Sequence, residues 1–249
     1  MGREDFKVTA PTFLADLGAI SDGWLQIGGE EARHVLKSRR MQVGHEIFLT
    51  DGKGLLARGE ISESDSKHNL VGVRVLQFRD EAPSIPRLSL ACAVPKGDRQ
   101  STILGMTTQL GVDQIIPLIC EFSPARFGDG QRRRWQKLIV EAGKQSRRGR
   151  FPELCDPVSV AGVLDMAGDS VTCLIGDPAG AALADISEIQ DASEIMLLVG
   201  PEGGFSAAER DMLRAQDRVV AVSLGPRIMR ADTAAIAALS LWQAQLGDW

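Results

Sequence analysis

The most telling absence in this sequence is any long hydrophobic run. Of its 249 residues, 44% are hydrophobic and 24% are charged, which is ordinary for a globular protein. No stretch approaches the roughly 20 apolar residues that a membrane-spanning helix needs. The first residues, Met1–Phe6, lack both the apolar core of a signal peptide and the Ser or Thr of a myristoylation site. These absences predict a soluble, cytoplasmic protein.

Disulfide and metal-binding patterns are also missing. The four cysteines are far apart, and no two form a Cys-x-x-Cys pair. Three of them lie in apolar, strand-like runs, so we expect reduced thiols packed in the core of a protein from a reducing compartment. The three histidines (34, 45 and 68) lack the spacing of metal ligands. We therefore expect no metal site.

Charge is distributed unevenly along the chain. The formal net charge is −5, which by itself argues against a nucleic-acid partner. Between Pro124 and Pro152, however, nine basic residues stand against two acidic ones. A concentrated basic segment on an acidic protein is typical of a phosphate-binding face. The alternative is the solvated face of one helix, and at this point the sequence favours neither interpretation.

Residues 1–80 predict a small β-rich domain. Short apolar or alternating runs at 23–27, 46–49, 55–61 and 70–78 are separated by turn sequences such as Asp51-Gly52-Lys53-Gly54. One helical pattern covers residues 29–39. Several short strands with one helix indicate a small β-barrel, PUA-like or OB-like, of a type that often binds RNA. Residues 81–87 contain two prolines and predict a linker.

Residues 88–249 predict a second domain of alternating strands and helices. Apolar runs cover 88–94, 114–119, 171–175, 195–199 and 219–224, and helical periodicity covers 99–110, 131–147, 206–215 and 233–246. Apolar strands separated by helices predict a parallel α/β sheet that is covered on both faces. Ser206 and Glu209 are spaced as a capping box, and Asp232 is the predicted N-cap of the last helix.

Two glycine-containing loops follow predicted strands and precede predicted helices. One reads Gly200-Pro-Glu-Gly-Gly-Phe-Ser206, and the other reads Leu224-Gly-Pro-Arg-Ile-Met-Arg-Ala-Asp-Thr-Ala234. Glycine lets the backbone turn sharply and approach a ligand closely. In an open α/β sheet, ligands bind beyond the carboxyl ends of the strands. The pair of loops therefore predicts a single ligand site.

The loops match neither of two common nucleotide-binding fingerprints. No Gly-Lys-Ser/Thr follows the glycines, as a Walker phosphate loop requires, and the spacing Gly-x-Gly-x-x-Gly is absent. A nicotinamide- or phosphate-dependent enzyme is therefore the least favoured alternative. A single glycine-rich turn would be no more than structural, so the functional interpretation depends on the pair.

Together, the two loops resemble the signature of the 16S ribosomal RNA uracil-N3 methyltransferases, members of the SPOUT superfamily that use S-adenosylmethionine. The resemblance extends to Lys96-Gly97-Asp98-Arg99, Gln109–Val112 and Glu141-Ala-x-x-Gln-Ser-x-Arg148. It also includes His34–Lys37 and Asp51–Gly54 in the first domain. It thus covers nearly the whole chain.

The resemblance implies a fold that periodicity alone does not predict. In the family, the catalytic domain has a deep trefoil knot in which the C-terminal segment threads through a loop, against the usual rules of topology. A homodimer is implied, with the cofactor pocket at the knot, as is an N-terminal PUA-like barrel that helps to hold RNA. The implied activity is methyl transfer to N3 of a specific uridine in 16S RNA of the small ribosomal subunit.

The resemblance also implies roles for individual residues. Arg227, Arg230 and Glu202 are expected in catalysis, the arginines holding a phosphate or the uracil anion and the carboxylate taking a proton or binding ribose hydroxyls. Expected S-adenosylmethionine-binding residues are Leu198, Val199, Gly200, Glu202, Gly203, Leu224, Gly225, Ile228, Met229, Thr233 and Ala234. Expected RNA contacts are Gln145, Ser146 and Arg148. The charge pattern adds Arg126, Arg132, Arg133 and Arg134 of the basic segment as candidate phosphate contacts, with a solvated helix face as the equal alternative.

Two other functions remain open from the sequence. The chain could be a methyltransferase of the same superfamily that acts on another RNA position, such as a tRNA ribose. It could also be a knotted RNA-binding assembly factor that has lost catalysis. The intact pair of loops favours the catalytic interpretation.

Overall fold

The computed structural model describes residues 9–95, 97, 99–123, 127–168, 170–182, 185–186, 189 and 192–247. The chain divides into two compact units. The first comprises the residues up to Pro83 together with Gly143–Phe151, and the second comprises Ser84–Ala142 and the residues from Pro152 onward. Within the described ranges, no helix is both long enough and apolar enough to cross a membrane.

The first unit is built on a five-stranded sheet. Its strands are β1 (Thr12–Leu14), β2 (Trp24–Gly28), β3 (Glu46–Thr50), β4 (Leu55–Asp65) and β5 (Leu70–Asp80). Their order is β1-β3-β4-β5-β2, with β1 parallel to β3 and the other neighbours antiparallel. The predicted β-rich unit is confirmed, although the short strand β1 is not among the predicted runs.

One helical segment covers the core of this sheet. The helix α1 (Gly29–Arg33) continues as a π-helical turn over His34–Ser38, so the predicted helix 29–39 is present but changes its winding halfway. Ala32 and Val35 from this segment are fully buried against side chains of the sheet such as Ile47. The helix therefore closes the hydrophobic core of the first unit.

The second unit contains a sheet of seven parallel strands. They are β6 (Arg87–Ala93), β7 (Gln114–Ile119), β8 (Glu153–Leu154), β9 (Val158–Ser159), β10 (Val171–Ala182), β11 (Glu194–Val199) and β12 (Val219–Ser223). Their order is β12-β10-β11-β6-β7-β8, and β9 also pairs with β7. All pairs are parallel, as the apolar runs predict. The carboxyl ends of all these strands therefore point to one edge of the sheet.

Five helices accompany this part of the chain. They are α2 (Arg99–Gln109), α3 (Asp129–Ser146), α4 (Val160–Ala167), α5 (Ala207–Arg214) and α6 (Ala231–Leu246). Four correspond to predicted helices. The fifth, α4, has no counterpart among the predictions, because its eight residues include buried positions such as Val163 and Leu164 and give no long amphipathic pattern.

The strands of this sheet are covered on both faces. On one side, α4 and α5 pack in a core that includes Met196 and Leu198 of β11. On the other side, α6 contacts β6 and β11 and lies beside α2. The neighbouring β11 residues Ile195 and Leu197 are buried and face a cavity that α6 also lines. Burial on both faces explains why the strands are continuously apolar.

The two predicted helix starts have different outcomes. The capping box of α5 is confirmed, since Ser206 Oγ accepts from Glu209 N–H (3.3 Å) and Glu209 Oε2 accepts from Ser206 N–H (2.8 Å). The prediction that Asp232 caps α6 is wrong. The N-cap is Arg230, which has an extended backbone conformation and whose carbonyl oxygen accepts from Ala234 N–H at 2.8 Å. Asp232 lies inside the first turn, where its negative charge suits the helix dipole.

Candidate functional site

A cavity of about 290 Å³ lies at the carboxyl ends of the central strands of the second unit. Three segments surround its mouth: the loop after β11 (residues 200–206), the loop after β12 (residues 224–230), and the Gly176–Asp177 step of β10. Both loops that the sequence analysis singled out therefore line the same cavity. This is the crevice in which open α/β sheets bind their ligands.

Short-range contacts fix the shape of the first loop. Gly204 has a φ of +73°, which an L side chain rarely adopts, and its N–H donates to the carbonyl of Pro201 at 2.8 Å. The Phe205 ring lies about 3.1 Å from the place that a Cβ on Gly200 would occupy. At the end of the loop, Glu209 Oε1 accepts from Glu121 N–H at 2.9 Å. The loop is therefore anchored both within itself and to the chain that follows β7.

The second loop turns at Gly225, whose φ is +99°. Its N–H donates to Ser223 Oγ at 3.3 Å, so the turn forms directly after β12. The loop then enters α6 through the Arg230 cap. The strain-free turn at glycine brings the backbone of residues 225–229 to the cavity.

The third segment of the mouth has no counterpart among the sequence predictions. Strand β10 pairs with β12 up to Gly176 and again from Ala181, and both of these residues lie opposite Val222. The intervening residues form a bulge, within which Asp177 Oδ1 accepts from Ala179 N–H at 2.9 Å. The only sequence signal was Gly-Asp-Pro after an apolar run, which is typical of an ordinary turn. Asp177, the first residue of the bulge, is thereby one of the residues that line the cavity.

Most of the predicted cofactor-binding residues line the cavity. Those that do are Leu198, Val199, Gly200, Glu202, Leu224, Gly225, Ile228, Met229 and Ala234. Gly203 and Thr233 belong to the same two segments of chain but are not part of the lining. Additional apolar lining comes from α6, where Leu239 and Trp242 are both buried. The periodicity of α6 shows that these side chains face the core, but it does not show that they border a cavity.

Glu202, the predicted catalytic carboxylate, is paired with an arginine. Its side chain forms an ion pair and hydrogen bond with Arg99, the first residue of α2, and both side chains are a little over one third exposed. Glu202 is one of the residues that line the cavity, whereas Arg99 is not part of the lining. The sequence separation of 103 residues explains why no local pattern predicts this pair.

The two predicted catalytic arginines differ in position. Arg227 lines the cavity, whereas Arg230 caps α6 and is not part of the lining. Both side chains are exposed. Across the described ranges, neither guanidinium forms an ion pair or side-chain hydrogen bond. They are therefore cations at or near the mouth that are not held in one place.

The basic segment separates into structural and exposed arginines. Arg132 donates to the carbonyls of Leu154 (3.0 Å) and Cys155 (3.1 Å) and to Asp156 Oδ1 (2.7 Å), so it ties α3 to the chain after β8. Arg133 and Arg134 are exposed on the same helix. Arg126 lies outside the described residues. Part of the positive charge of this segment, that of Arg132, is therefore already paired with acceptors of the protein itself.

The predicted RNA contacts at 145–148 lie in the segment that belongs to the first unit. Gln145 is exposed, while Ser146 and Arg148 are partly buried. Ser146 Oγ donates to the carbonyl of Gly143 at 3.3 Å, and the Arg148 carbonyl accepts from Thr50 Oγ1 at 3.4 Å. Within this unit, the segment is anchored by its backbone and leaves the Gln145 side chain available.

A buried thiol lies at the end of β6, near the site. Cys92 is 2% exposed, and burial raises its pKa to about 12, with smaller contributions from Cys120 and the carboxylates of Glu202 and Asp232. The four cysteines are free thiols. At neutral pH Cys92 is therefore a neutral, apolar group beneath the charged mouth.

Comparison with known protein families adds independent support. A model described as an RNA methyltransferase domain matches residues 81–243, and a model described as an RNA methyltransferase PUA domain matches residues 27–73. The chain is 32% identical over 226 residues to ribosomal RNA small subunit methyltransferase E of Bacillus subtilis, covering 86% of this chain and 87% of that protein. The protein of the same name from Mycobacterium tuberculosis is 31% identical over 252 residues, covering 94% and 93%.

Solved structures show the same architecture. Ribosomal RNA small subunit methyltransferase E of Neisseria gonorrhoeae, bound to S-adenosyl methionine, has a TM-score of 0.85 at 29% identity and covers 96% of this chain and 99% of that one. A methyltransferase of Legionella pneumophila in complex with the same cofactor has a TM-score of 0.83 at 30% identity, with coverages of 95% and 98%. The predicted α/β class and the PUA domain are thereby confirmed. This chain belongs to the RNA methyltransferase family.

Proposed function

We propose that this protein is an S-adenosylmethionine-dependent methyltransferase of small-subunit ribosomal RNA that modifies N3 of a uridine in 16S RNA. The observation that carries the proposal is that both loops line one and the same cavity at the carboxyl ends of the strands. Relatives that are named small-subunit methyltransferases match almost the whole chain. The choice of uracil N3 rests on the resemblance of the loop sequences.

The cavity lining suits S-adenosylmethionine. Leu198, Leu239 and Trp242 offer apolar contacts for an adenine ring. The glycine backbones of the two loops can approach the nucleoside closely, and their polar groups can bind its edges. When bound, the cofactor supplies an electrophilic methyl group on a sulfonium. The protein must then bring a uracil to that methyl group, and orientation of this kind can contribute about 7–11 kcal/mol.

The polar residues of the mouth suit the second substrate. N3 of uracil carries a proton at neutral pH, and this proton must leave before N3 can bond to carbon. Glu202 is the candidate acceptor because it is a cavity-lining residue with a partly exposed carboxylate side chain. Its alternative role is to bind ribose hydroxyls, in which case Glu202→Gln would weaken S-adenosylmethionine binding rather than slow transfer alone. Arg227 and Arg230 are candidates for contacts to RNA phosphate or to the base.

The remaining parts of the chain are assigned to RNA binding and assembly. We assign the N-terminal PUA domain and the exposed arginines of α3 to holding RNA. We also propose that the protein acts in the cytoplasm as a homodimer, as the resemblance implies. We further propose that the RNA-binding domain ends at residue 80 and that the methyltransferase domain begins at residue 88.

The decisive experiment maps methylated bases by mass spectrometry in 16S RNA from cells with and without the gene. We expect one N3-methyluridine to disappear on deletion and to return when the purified protein and S-adenosylmethionine are supplied. A methyl group lost from another position would contradict the N3 assignment. Failure of the purified protein to bind S-adenosylmethionine in calorimetry would contradict the enzymatic function itself.

Arg230 provides a test at residue level. Arg230→Ala should lower methyl transfer at least tenfold, because an exposed cation beside the mouth is lost where substrate charge must be bound. Arg214→Ala removes an equally charged, exposed residue from α5 and should leave transfer unchanged. If both variants transfer methyl at the wild-type rate and fold normally, the assignment of Arg230 is wrong.

A further inference from the structure

Arg99 lies outside the cavity lining, and its side chain is paired with that of the lining residue Glu202. It begins α2, directly after the loop that follows β6, and its guanidinium contacts the Glu202 carboxylate. Glu202 in turn belongs to the loop that Gly204 and the α5 capping box keep in shape. The pair thus joins the first residue of α2 to a loop that lines the cavity.

This anchoring distinguishes Arg99 from the other two arginines of the site. Arg227 and Arg230 are exposed and have no ion-pair partner within the described ranges, whereas the Arg99 guanidinium has a fixed neighbour. Stabilisation of charge in a transition state is most effective when the donor is oriented in advance and needs no reorganisation. Arg99 is therefore the best preorganised cation for charge that develops on the substrate.

The pair also matches the chemistry of one base edge. Uracil presents a proton on N3 next to an oxygen on C4, so it needs an acceptor beside a donor. A carboxylate next to a guanidinium offers this pattern, and the five N–H groups of arginine allow it to hold Glu202 and a second oxygen together. Cytosine has no proton on N3 and carries an amino donor at C4, which would face the donors of Arg99.

We propose that Arg99 is a catalytic residue that donates a hydrogen bond to the C4 oxygen of the target uracil and stabilises its N3 anion. The N3–H bond breaks and the proton passes to the Glu202 carboxylate. The electron pair on N3 then bonds to the methyl carbon, while the methyl–sulfur bond breaks and leaves its pair on sulfur. The inference rests on the proposed function, and it makes the Arg99–Glu202 pair the determinant of uracil over cytosine.

The test replaces Arg99 and varies the acidity of the base. Small subunits are reconstituted with 16S RNA transcribed with either uridine or 5-fluorouridine, whose electron-withdrawing fluorine makes N3 easier to ionise. Arg99→Gln should lower kcat on uridine RNA on the order of 10²-fold, as for loss of one oxyanion donor. On 5-fluorouridine RNA its deficit relative to wild type should shrink at least fivefold. Arg99→Lys, which keeps the charge, should lose less on uridine RNA than Arg99→Gln.

The outcome is decided by kcat on uridine RNA, kcat on 5-fluorouridine RNA and the dissociation constant of S-adenosylmethionine. The dissociation constant, measured by calorimetry, should stay within threefold of wild type in Arg99→Gln. The control variant Arg214→Gln should behave as wild type in all three measurements. A near-normal kcat, an equal deficit on both RNAs, or a loss of cofactor affinity that matches the loss of rate would each overturn the inference. Absence of transfer by the wild-type protein would instead overturn the proposed function.

Discussion

The cysteines show how position in the sheet controls the chemistry of a single residue. Cys92 and Cys173 lie in central parallel strands, and Cys120 directly follows another. Burial raises the pKa of Cys92 and Cys120 to about 12 and that of Cys155 and Cys173 to about 11. Since the thiolate is the reactive form, these side chains are packing groups at neutral pH. The sequence predicts this role from the apolar, strand-like runs around three of the four.

Thiol labelling tests this conclusion. At pH 8 the native protein should react slowly with iodoacetamide, with the partly exposed Cys155 first, whereas all four thiols should react in urea. A pKa raised by folding stabilises the folded state below the ordinary thiol value of 9.0, and this stabilisation is lost as pH rises toward 11–12. The free energy of unfolding should therefore fall above about pH 9. Rapid labelling of Cys92 in the native protein would contradict the assignment.

Residues of the cavity show the limit of sequence patterns. The two loops can be predicted as one site because glycines follow apolar runs that must be parallel strands. The place of Asp177 at the cavity and the pairing of Arg99 with Glu202 cannot be predicted in this way. Asp177 reaches the cavity through a strand bulge, and the pair joins side chains that are 103 residues apart. Neither a bulge register nor a long-range ion pair leaves a periodic signal in the sequence.

Among the elements, α3 combines the most different roles. Its exposed face carries Arg133 and Arg134, while Arg132 bonds to the chain after β8. Its last turn belongs to the first unit, where Lys144 lies 2.8 Å from Glu31 with its side chain only 5% exposed. Glu31 also accepts from Leu14 N–H at 3.3 Å. A helix with a strongly basic sequence therefore contributes a lysine to a largely buried ion pair.

This ion pair gives a prediction for stability. Lys144→Met should reduce the free energy of unfolding by about 3 kcal/mol, because it leaves the largely buried Glu31 carboxylate without its cation. Lys137→Met removes the same charge from an exposed position of α3 and should change stability by about 0.5 kcal/mol or less. Urea denaturation measures both. The pairing explanation fails if the double variant Lys144→Met/Glu31→Leu is no more stable than Lys144→Met.

The start of α6 illustrates a different limit at the element scale. The acidic residue before an apolar periodic run predicts Asp232 as the cap, yet the helix begins one residue earlier than this cap, at Ala231. The backbone needs only an extended residue and a free carbonyl at the cap, and Arg230 supplies both. The side-chain preference at N-cap positions is thus a weak guide to the first residue of a helix when the preceding loop already determines the backbone conformation.

For the whole molecule, the division of charge is the feature most relevant to RNA. Although the net charge of the protein is negative, α3 carries exposed arginines. Arg132 of the same helix is not among them, because it is hydrogen-bonded to acceptors of the protein. The predicted threading of the C-terminal segment into a knot stays a prediction from the family resemblance. So do the homodimer and the cytoplasmic location.

Salt dependence of RNA binding separates the two kinds of arginine. The logarithm of the binding constant should fall linearly with the logarithm of salt concentration, by about 0.7–0.9 per phosphate contacted. Arg133→Ala should reduce the magnitude of this slope by about 0.7–0.9, the value for one phosphate contact. Arg132→Ala should leave the slope unchanged. It should instead lower the free energy of unfolding by about 1–3 kcal/mol, because its hydrogen bonds to the chain after β8 are lost. The reverse result, with Arg132→Ala changing the slope and Arg133→Ala not, would refute this division.

By itself, the sequence determined the parallel sheet, the β-rich first domain and the meeting of two loops at one site. It could do so because hydrophobic periodicity and glycine placement act locally and are visible in a single chain. Only the tertiary structure decided that Arg99 holds Glu202, that Asp177 reaches the cavity, and that Gly143–Phe151 belongs with the first unit. These arrangements depend on which distant side chains become neighbours, and packing in three dimensions sets that.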